Sequence, residues 1–189
     1  MATAIILTGG KSSRFGKNKA LVEIDGEPLA RRIHDLLLNM FNRVLVIGGQ
    51  PEMFKDQDLE VIQDRIHGVG ALGGIYTGLV ESSDPWIFAV ACDMPSLNNK
   101  VIEILIKNIG NEDILCPRID KIRQPLHAVY HKSCIEKIEI LKHRKDLCLP
   151  LLFENADVRF LSDSYFKDVD NYKSSFVNFN TPRELENLL

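Results

Sequence analysis

The feature that most constrains this chain is its alternation of short, unbroken apolar runs with longer stretches of helical spacing. Ala4–Leu7 is apolar throughout and stops at Thr8-Gly9-Gly10. Arg43–Ile47 stops at Gly48-Gly49, Leu59–Ile62 at a polar segment, and Trp86–Ala91 at Cys92-Asp93-Met94-Pro95. A continuous apolar run bounded by turn residues reads as a strand buried on both faces. Between the runs, Leu29, Ile33, Leu36, Leu37 and Met40 fall at helical intervals from Pro28 to Met40. Leu72–Val80 can form a helix despite its glycines. Asn98 or Asn99 can cap a third helix through Asn108, with Val101, Ile102, Leu105 and Ile106 on its inner face. This order predicts a mainly parallel sheet covered on both faces.

The second half is less regular. Asp113–Cys116 and Leu126–His131 read as strands, and Ser133 can cap a helix to about His143. Thr181, Pro182 and Glu184 form a capping-box pattern for a last helix. No repeat or Pro/Ser-rich linker divides the 189 residues, so a single domain over 1–189 is expected.

Ligands of parallel sheets sit beyond the carboxyl ends of the strands. Three loops are therefore of interest: 8–19, 63–74 and 91–97. The first reads Thr8-Gly9-Gly10-Lys11-Ser12-Ser13-Arg14-Phe15-Gly16-Lys17-Asn18-Lys19. Its glycines let backbone N–H groups approach a ligand, and Lys11, Arg14, Lys17 and Lys19 supply positive charge with no acid among them. A triphosphate needs both. A solvated basic turn is the alternative. The spacing is not that of a Walker loop. Gly68-Val69-Gly70-Ala71-Leu72-Gly73 imitates a dinucleotide fingerprint, but Gln63–His67 separates it from the preceding strand. These glycines suit a loop packing closely against a base or ribose.

Asp93 follows a buried strand, where a carboxylate can share Mg²⁺ with substrate phosphates; a turn residue before Met94-Pro95 is the other reading. Asp64 can contact a base edge or ribose hydroxyl, or cap the glycine-rich backbone. His127 and His131 would lie about 13 Å apart on one strand face, too far for a shared zinc. With 23 basic and 26 acidic residues the formal charge is -3, which gives little support to nucleic acid as a partner. The four cysteines form no Cys-x-x-Cys pair, and the N-terminal apolar run is too short for a signal peptide. No stretch reaches the length of a membrane span. A cytoplasmic protein with reduced thiols is expected.

Taken together these residues resemble the molybdenum cofactor guanylyltransferases, the MobA-like members of the nucleotidyltransferase superfamily. The family opening Leu-Ala-Gly-Gly-x-Ser-x-Arg-Met-Gly matches Leu7–Gly16, with Thr8 for alanine and Phe15 for methionine. Asn18 stands where an aspartate usually precedes the lysine, here Lys19. Asp64 with Gly70-Ala71-Leu72-Gly73-Gly74, Asp93-Met94-Pro95, Pro125-Leu126-His127-Ala128-Val129-Tyr130 and Asn178-Phe179-Asn180-Thr181-Pro182 follow in family order. The resemblance implies a Rossmann-like three-layer α/β sandwich with a mainly parallel mixed sheet, of the nucleotide-diphospho-sugar transferase type. It implies GTP and molybdenum-bearing molybdopterin as substrates, the guanine dinucleotide cofactor and pyrophosphate as products, and Mg²⁺ as cofactor. Molybdoenzyme-maturation proteins are possible partners. By the same resemblance Leu7, Thr8, Gly9, Gly10 and Lys19 hold the nucleotide, and Arg14, Lys19 and Asp93 carry catalysis, with Asp93 on the metal. Asp64 faces the guanosine, and Asn178 and Asn180 face the acceptor. Transfer of a cytidylyl group to the same acceptor, or of a nucleotide to a sugar phosphate, is the alternative. A non-catalytic nucleotide-binding protein is a further one.

Overall fold

The computed structural model describes residues 3–8 and 19–186. Of the expected nucleotide loop, Gly9, Gly10 and Arg14 lie outside the described residues.

The apolar runs form one side of the sheet: β1 (Thr3–Leu7), then, after a two-stranded hairpin of β2 (Glu23–Ile24) and β3 (Glu27–Pro28), β4 (Val44–Ile47), β5 (Val61–Ile62), a half-buried edge strand, and β6 (Trp86–Ala91). Helices α1 (Leu29–Leu38), α2 (Ala71–Glu81) and α3 (Asn99–Lys107) fall in the stretches with helical spacing. Beyond them come β7 (Ile114–Ile119), β8 (Ile122–Arg123), β9 (His127–His131), α4 (Ser133–Leu141), α5 (Leu149–Glu154), β10 (Val158–Ser162) and α6 (Pro182–Glu186). The main sheet runs β10-β7-β9-β6-β1-β4-β5, with β8 hydrogen-bonded to β7. β1 pairs in parallel with β4 and β6, β5 joins β4 in parallel, and β10 joins β7 in parallel. Only β9 and β8 run against the rest of this sheet, β9 between β6 and β7. The fold is the expected α/β sandwich with a mixed, mostly parallel sheet.

Alternation along the strands divides the core. Ala4, Ile6, Val46, Phe88 and Val90 pack with Leu29, Ile33 and Leu37 of α1, Val101 and Leu105 of α3, and Phe166, Phe176 and Phe179 near the C-terminus. Ile5, Leu7, Leu45, Ile47, Ile87 and Ala89 pack on the other face with Leu72, Ile75 and Leu79 of α2, Ile138 of α4 and Leu152 of α5. Each of the larger of these side chains, fully buried, contributes about 1.5–3 kcal/mol of apolar transfer energy. This two-faced demand is why the central strands β4 and β6, and β1 beyond Thr3, are apolar without interruption.

Local capping agrees with the sequence at two helices and differs at a third. Asn98 caps α3, its side chain accepting from the Lys100 N–H at 2.9 Å. Thr181 accepts from the Glu184 N–H at 3.2 Å, while the Glu184 carboxylate reaches the Asn180 N–H at 2.6 Å. Ser133, expected to cap α4, is instead its first residue, and its hydroxyl donates to the Asp113 carboxylate. Asp113 also accepts from the Asp157 N–H and pairs with Lys137, so the serine serves a tertiary junction between α4, β7 and β10. No described helix is long and apolar enough to cross a membrane. All four cysteines are free thiols, and burial pushes Cys92, Cys116 and Cys134 up to about 12.

Candidate active site

The carboxyl ends of β1, β4, β5 and β6 share one edge of the sheet. Leu7 and Thr8 end β1 there. The Thr8 N–H and hydroxyl both donate to the Ile47 carbonyl, at 2.9 and 3.0 Å, and the Leu7 carbonyl accepts from the Cys92 N–H at 3.1 Å. The ends of three strands are thereby locked in register before the chain leaves toward the glycines on one side and Asp93 on the other.

Lys19 enters from the far end of the basic loop, in a short 3₁₀ turn over Lys19–Leu21. Its ammonium lies 3.0 Å from Asp93 Oδ2, 2.7 Å from the Phe179 carbonyl oxygen and 3.1 Å from Asn180 Oδ1. It also sits 5.4 Å from the centre of the Phe179 ring. The Phe179 N–H donates to the Asp93 carbonyl at 3.1 Å, so the closing segment is pinned to the loop after β6 from two directions. The Lys19 and Asp93 side chains keep only 13% and 20% exposure, so their charges meet in a partly dehydrated place where attraction is strong.

Asp93 Oδ2 is used by Lys19, but Oδ1 is buried and has no hydrogen-bond partner among the described residues. A buried carboxylate oxygen left unpaired is costly. A cation or an N–H donor brought by a ligand would relieve it. No cluster of three or more His, Cys, Asp or Glu capable of holding a metal occurs among the described residues. A metal on Asp93 would therefore draw most of its oxygen ligands from elsewhere. Mg²⁺ suits that arrangement, being bound by one or two carboxylates together with phosphates and water.

Asp64 lies at the same edge, two residues beyond the end of β5. Its Oδ1 is likewise buried and unpartnered. Burial raises its carboxyl above the ordinary value, opposed by the nearby His67 charge. Its neighbour is the α2 N-terminus. A Cβ on Gly74 would come within 3.5 Å of Asp64 Oδ1 and 2.5 Å of Leu7 Cδ2, and one on Gly73 within 2.3 Å of the Ile66 carbonyl oxygen. The close approach at Gly73 and Gly74 is thus to the protein's own backbone and β1, where the sequence suggested a base or ribose. Gly70, at φ +61 and ψ -141, turns the chain into α2 in a conformation that strongly favours glycine.

The structure therefore brings Lys19, Asp93 and Asn180 together, with Leu7, Thr8 and Asp64 along the same edge. Asn178 is exposed and makes no hydrogen bond to that cluster. The sequence did not reveal Phe179, whose carbonyl and ring both face Lys19. The only hint was its place between the two asparagines. His127 and His131 stand at opposite ends of β9, one enclosed by Phe88 and Phe176, the other against Trp86.

The chain is similar to known proteins in sequence and in fold. A probable molybdenum cofactor guanylyltransferase of Natranaerobius thermophilus is 32% identical over 190 residues, covering 97% of this chain and 93% of that protein. The molybdenum cofactor guanylyltransferase of Desulfosudis oleivorans is 33% identical over 186 residues, covering 97% and 92%. In fold, the chain is similar to the molybdopterin-guanine dinucleotide biosynthesis protein A of Archaeoglobus fulgidus, with a TM-score of 0.83, 23% identity, and 98% and 96% coverage. The family model described as the MobA-like NTP transferase domain matches residues 4–158. On this match and these relatives, the chain belongs to the MobA-like NTP transferase family.

Proposed function

We propose that this protein transfers GMP from GTP to molybdenum-bearing molybdopterin, giving the guanine dinucleotide cofactor and pyrophosphate, with the whole 189-residue chain acting as one domain in the cytoplasm. The observation that carries the reading is the Lys19–Asp93–Asn180 cluster at the carboxyl edge of the sheet, in a chain whose relatives bear that name. In the reaction an oxygen of the acceptor's terminal phosphate bonds to the α-phosphorus of GTP while the bond from that phosphorus to the pyrophosphate oxygen breaks. The attacking phosphate is already ionised at neutral pH, so no strong base is required. Alignment of two anions and neutralisation of their charge are what the site must supply.

The residues divide accordingly. The backbone of Leu7, Thr8, Gly9 and Gly10 holds the triphosphate, with Arg14 and Lys19 as its cations. Asp64 faces the guanosine. Asn180, with Asn178 beside it, faces the acceptor. The unpartnered Asp93 Oδ1 fits Mg²⁺. Such an ion, when bound, would supply charge neutralisation at the phosphates. Lys19 has three N–H donors and three acceptors around them, so it can take a phosphate oxygen only by giving one up. Asn180 is the longest of the three contacts and is exposed. Its release would free an amide for the acceptor. Proteins that deliver or receive the cofactor are the natural macromolecular partners.

A panel of GTP, CTP, ATP and UTP, each with Mg²⁺, tests the reading by thermal shift, since selective binding to the folded state raises its melting temperature. GTP is expected to give the largest rise. A larger rise with CTP would move the assignment to cytidylyl transfer.

A further inference from the structure

Phe179 is fully buried between two exposed asparagines, in the core cluster that also holds Phe88, Phe166 and Phe176. Its backbone is fastened on both sides. The Phe179 N–H donates to the Asp93 carbonyl at 3.1 Å, and the next N–H, of Asn180, donates to the Glu184 carboxylate at 2.6 Å. The Phe179 carbonyl accepts from the Lys19 ammonium at 2.7 Å, the shortest of that group's three hydrogen bonds. The ring lies against the same ammonium, with Nζ 5.4 Å from its centre. One residue thus meets Asp93 through its N–H, and Lys19 through both its carbonyl and its ring.

The two contacts to Lys19 differ in what they ask of it. Hydrogen bonds use up N–H donors. The ammonium has three, and Asp93 Oδ2, the Phe179 carbonyl and Asn180 Oδ1 take them. A phosphate oxygen can enter only as one of these lets go. An aromatic face instead attracts the positive charge as a whole and needs no particular N–H. It can therefore hold the ammonium while the donors are reassigned. The Lys19 side chain keeps only 13% exposure, so water screens this attraction only in part. Without the ring, the ammonium would follow whichever acceptor it kept. A displacement of about an ångström in a group that neutralises charge is enough to slow a transfer.

We propose that Phe179 is the positioning residue for Lys19: its ring keeps the ammonium at the triphosphate while one protein acceptor gives way to a phosphate oxygen. This rests on the reading that the protein transfers a nucleotidyl group from GTP. The ring is buried and acts only through Lys19. A leucine in its place would fill the core and keep the backbone carbonyl, but it would leave the ammonium free to swing.

The test separates the face of the ring from its volume. Mono-, di- and trifluorinated phenylalanine at position 179 drain the negative face stepwise and change the size little. Each protein is compared by its melting temperature and by its rate of transfer to molybdenum-bearing molybdopterin at saturating GTP and Mg²⁺. The rate is expected to fall stepwise, by ~3- to 10-fold with the trifluorinated ring, the rate equivalent of a partly buried cation–π contact. The melting temperature should hold across the series. Phe179→Leu should lose at least as much rate as the trifluorinated ring. In proton spectra of lysine-labelled protein, assigned with Lys19→Arg, the Lys19 ε-CH₂ signal should be shifted upfield by the ring and stay shifted when GTP and Mg²⁺ are added. A flat rate across the fluorinated series, or a full rate in Phe179→Leu, would overturn the proposal and leave the ring as core filling. A Lys19 signal that returns to the ordinary lysine position on adding GTP would also overturn it. If the unaltered protein makes no product, the reading of the reaction falls instead, and the spectra with GTP alone still decide whether the ring holds the lysine.

Discussion

At the scale of single residues, the two oxygens of Asp93 meet different surroundings. Oδ2 holds Lys19, and Oδ1 is buried with nothing to meet it among the described residues. Asp93→Asn keeps the shape and an acceptor for Lys19 but removes the charge that would attract a metal. Turnover is expected to fall at least ~10²-fold, the scale of losing one electrostatic stabiliser. The melting temperature without ligand should fall modestly, because the mostly buried Lys19 ammonium keeps a hydrogen-bond acceptor but loses its counter-charge. Steady-state rates across a Mg²⁺ titration check this. Near-normal turnover at ordinary Mg²⁺ would leave Asp93 as a residue that only fastens Lys19 and the closing segment. Lys19 itself was legible as a cation of the basic loop. Its contact with a carbonyl 160 residues away in the chain was not, because a backbone acceptor has no sequence signature.

At the scale of elements, α2 shows why the glycine-rich turn has its composition. The helix lies so close to β1 that a Cβ on Gly78 would stand 2.7 Å from Ile5 Cγ2, and one on Gly73 would press into the Ile66 carbonyl. At Gly73 the obstacle is backbone, which cannot swing aside as a side chain can. Gly73→Ala is therefore expected to destabilise the protein by about 1–3 kcal/mol, the usual cost of overpacking. Helix propensity alone would favour alanine. Urea denaturation of the two proteins decides the sign, and a more stable alanine variant would mean that the 66–73 turn relaxes freely. The long elements of the first half were readable because their periodicity is set by the two-faced burial of the sheet. The second half was less so. β10, exposed to partial burial along most of its length, and the two-residue β8 carry too short or too mixed a pattern to separate from loop. α5 went unread beside its proline, and Ser133, a plausible cap by type, is taken by a tertiary bond to Asp113.

At the scale of the whole molecule, the closing segment ties the C-terminal end of the chain to Lys19 and the loop after β6, and one buried group beneath it contributes to acid sensitivity. His127 is completely enclosed between Phe88 and Phe176, and neither ring nitrogen has a well-formed hydrogen bond among the described residues. Burial lowers its pKa from 6.5 to about 3, opposed only by the Ser175 backbone. The folded protein keeps this imidazole neutral while the unfolded chain protonates it below pH 6.5. Its contribution is thus fully present above that value and is lost as pH falls toward 3, by up to about 1.4 kcal/mol per pH unit. His127→Phe, which retains an aromatic ring there, should flatten this part of the acid limb in urea midpoints taken between pH 7 and pH 4. An unchanged slope would assign the acid loss to other groups. What the sequence determined by itself was the local and repeated: strands from near-continuous apolar runs, helices from spacing, and a family pattern from short motifs in order. What only the tertiary structure decided was which distant groups share an edge. Strand order brings Asp93, Lys19, Phe179 and Asn180 within hydrogen-bonding reach and sets Arg118 opposite Arg123 over Phe160. Such contacts arise from the packing of the sheet as a whole, and no local run of residues encodes them.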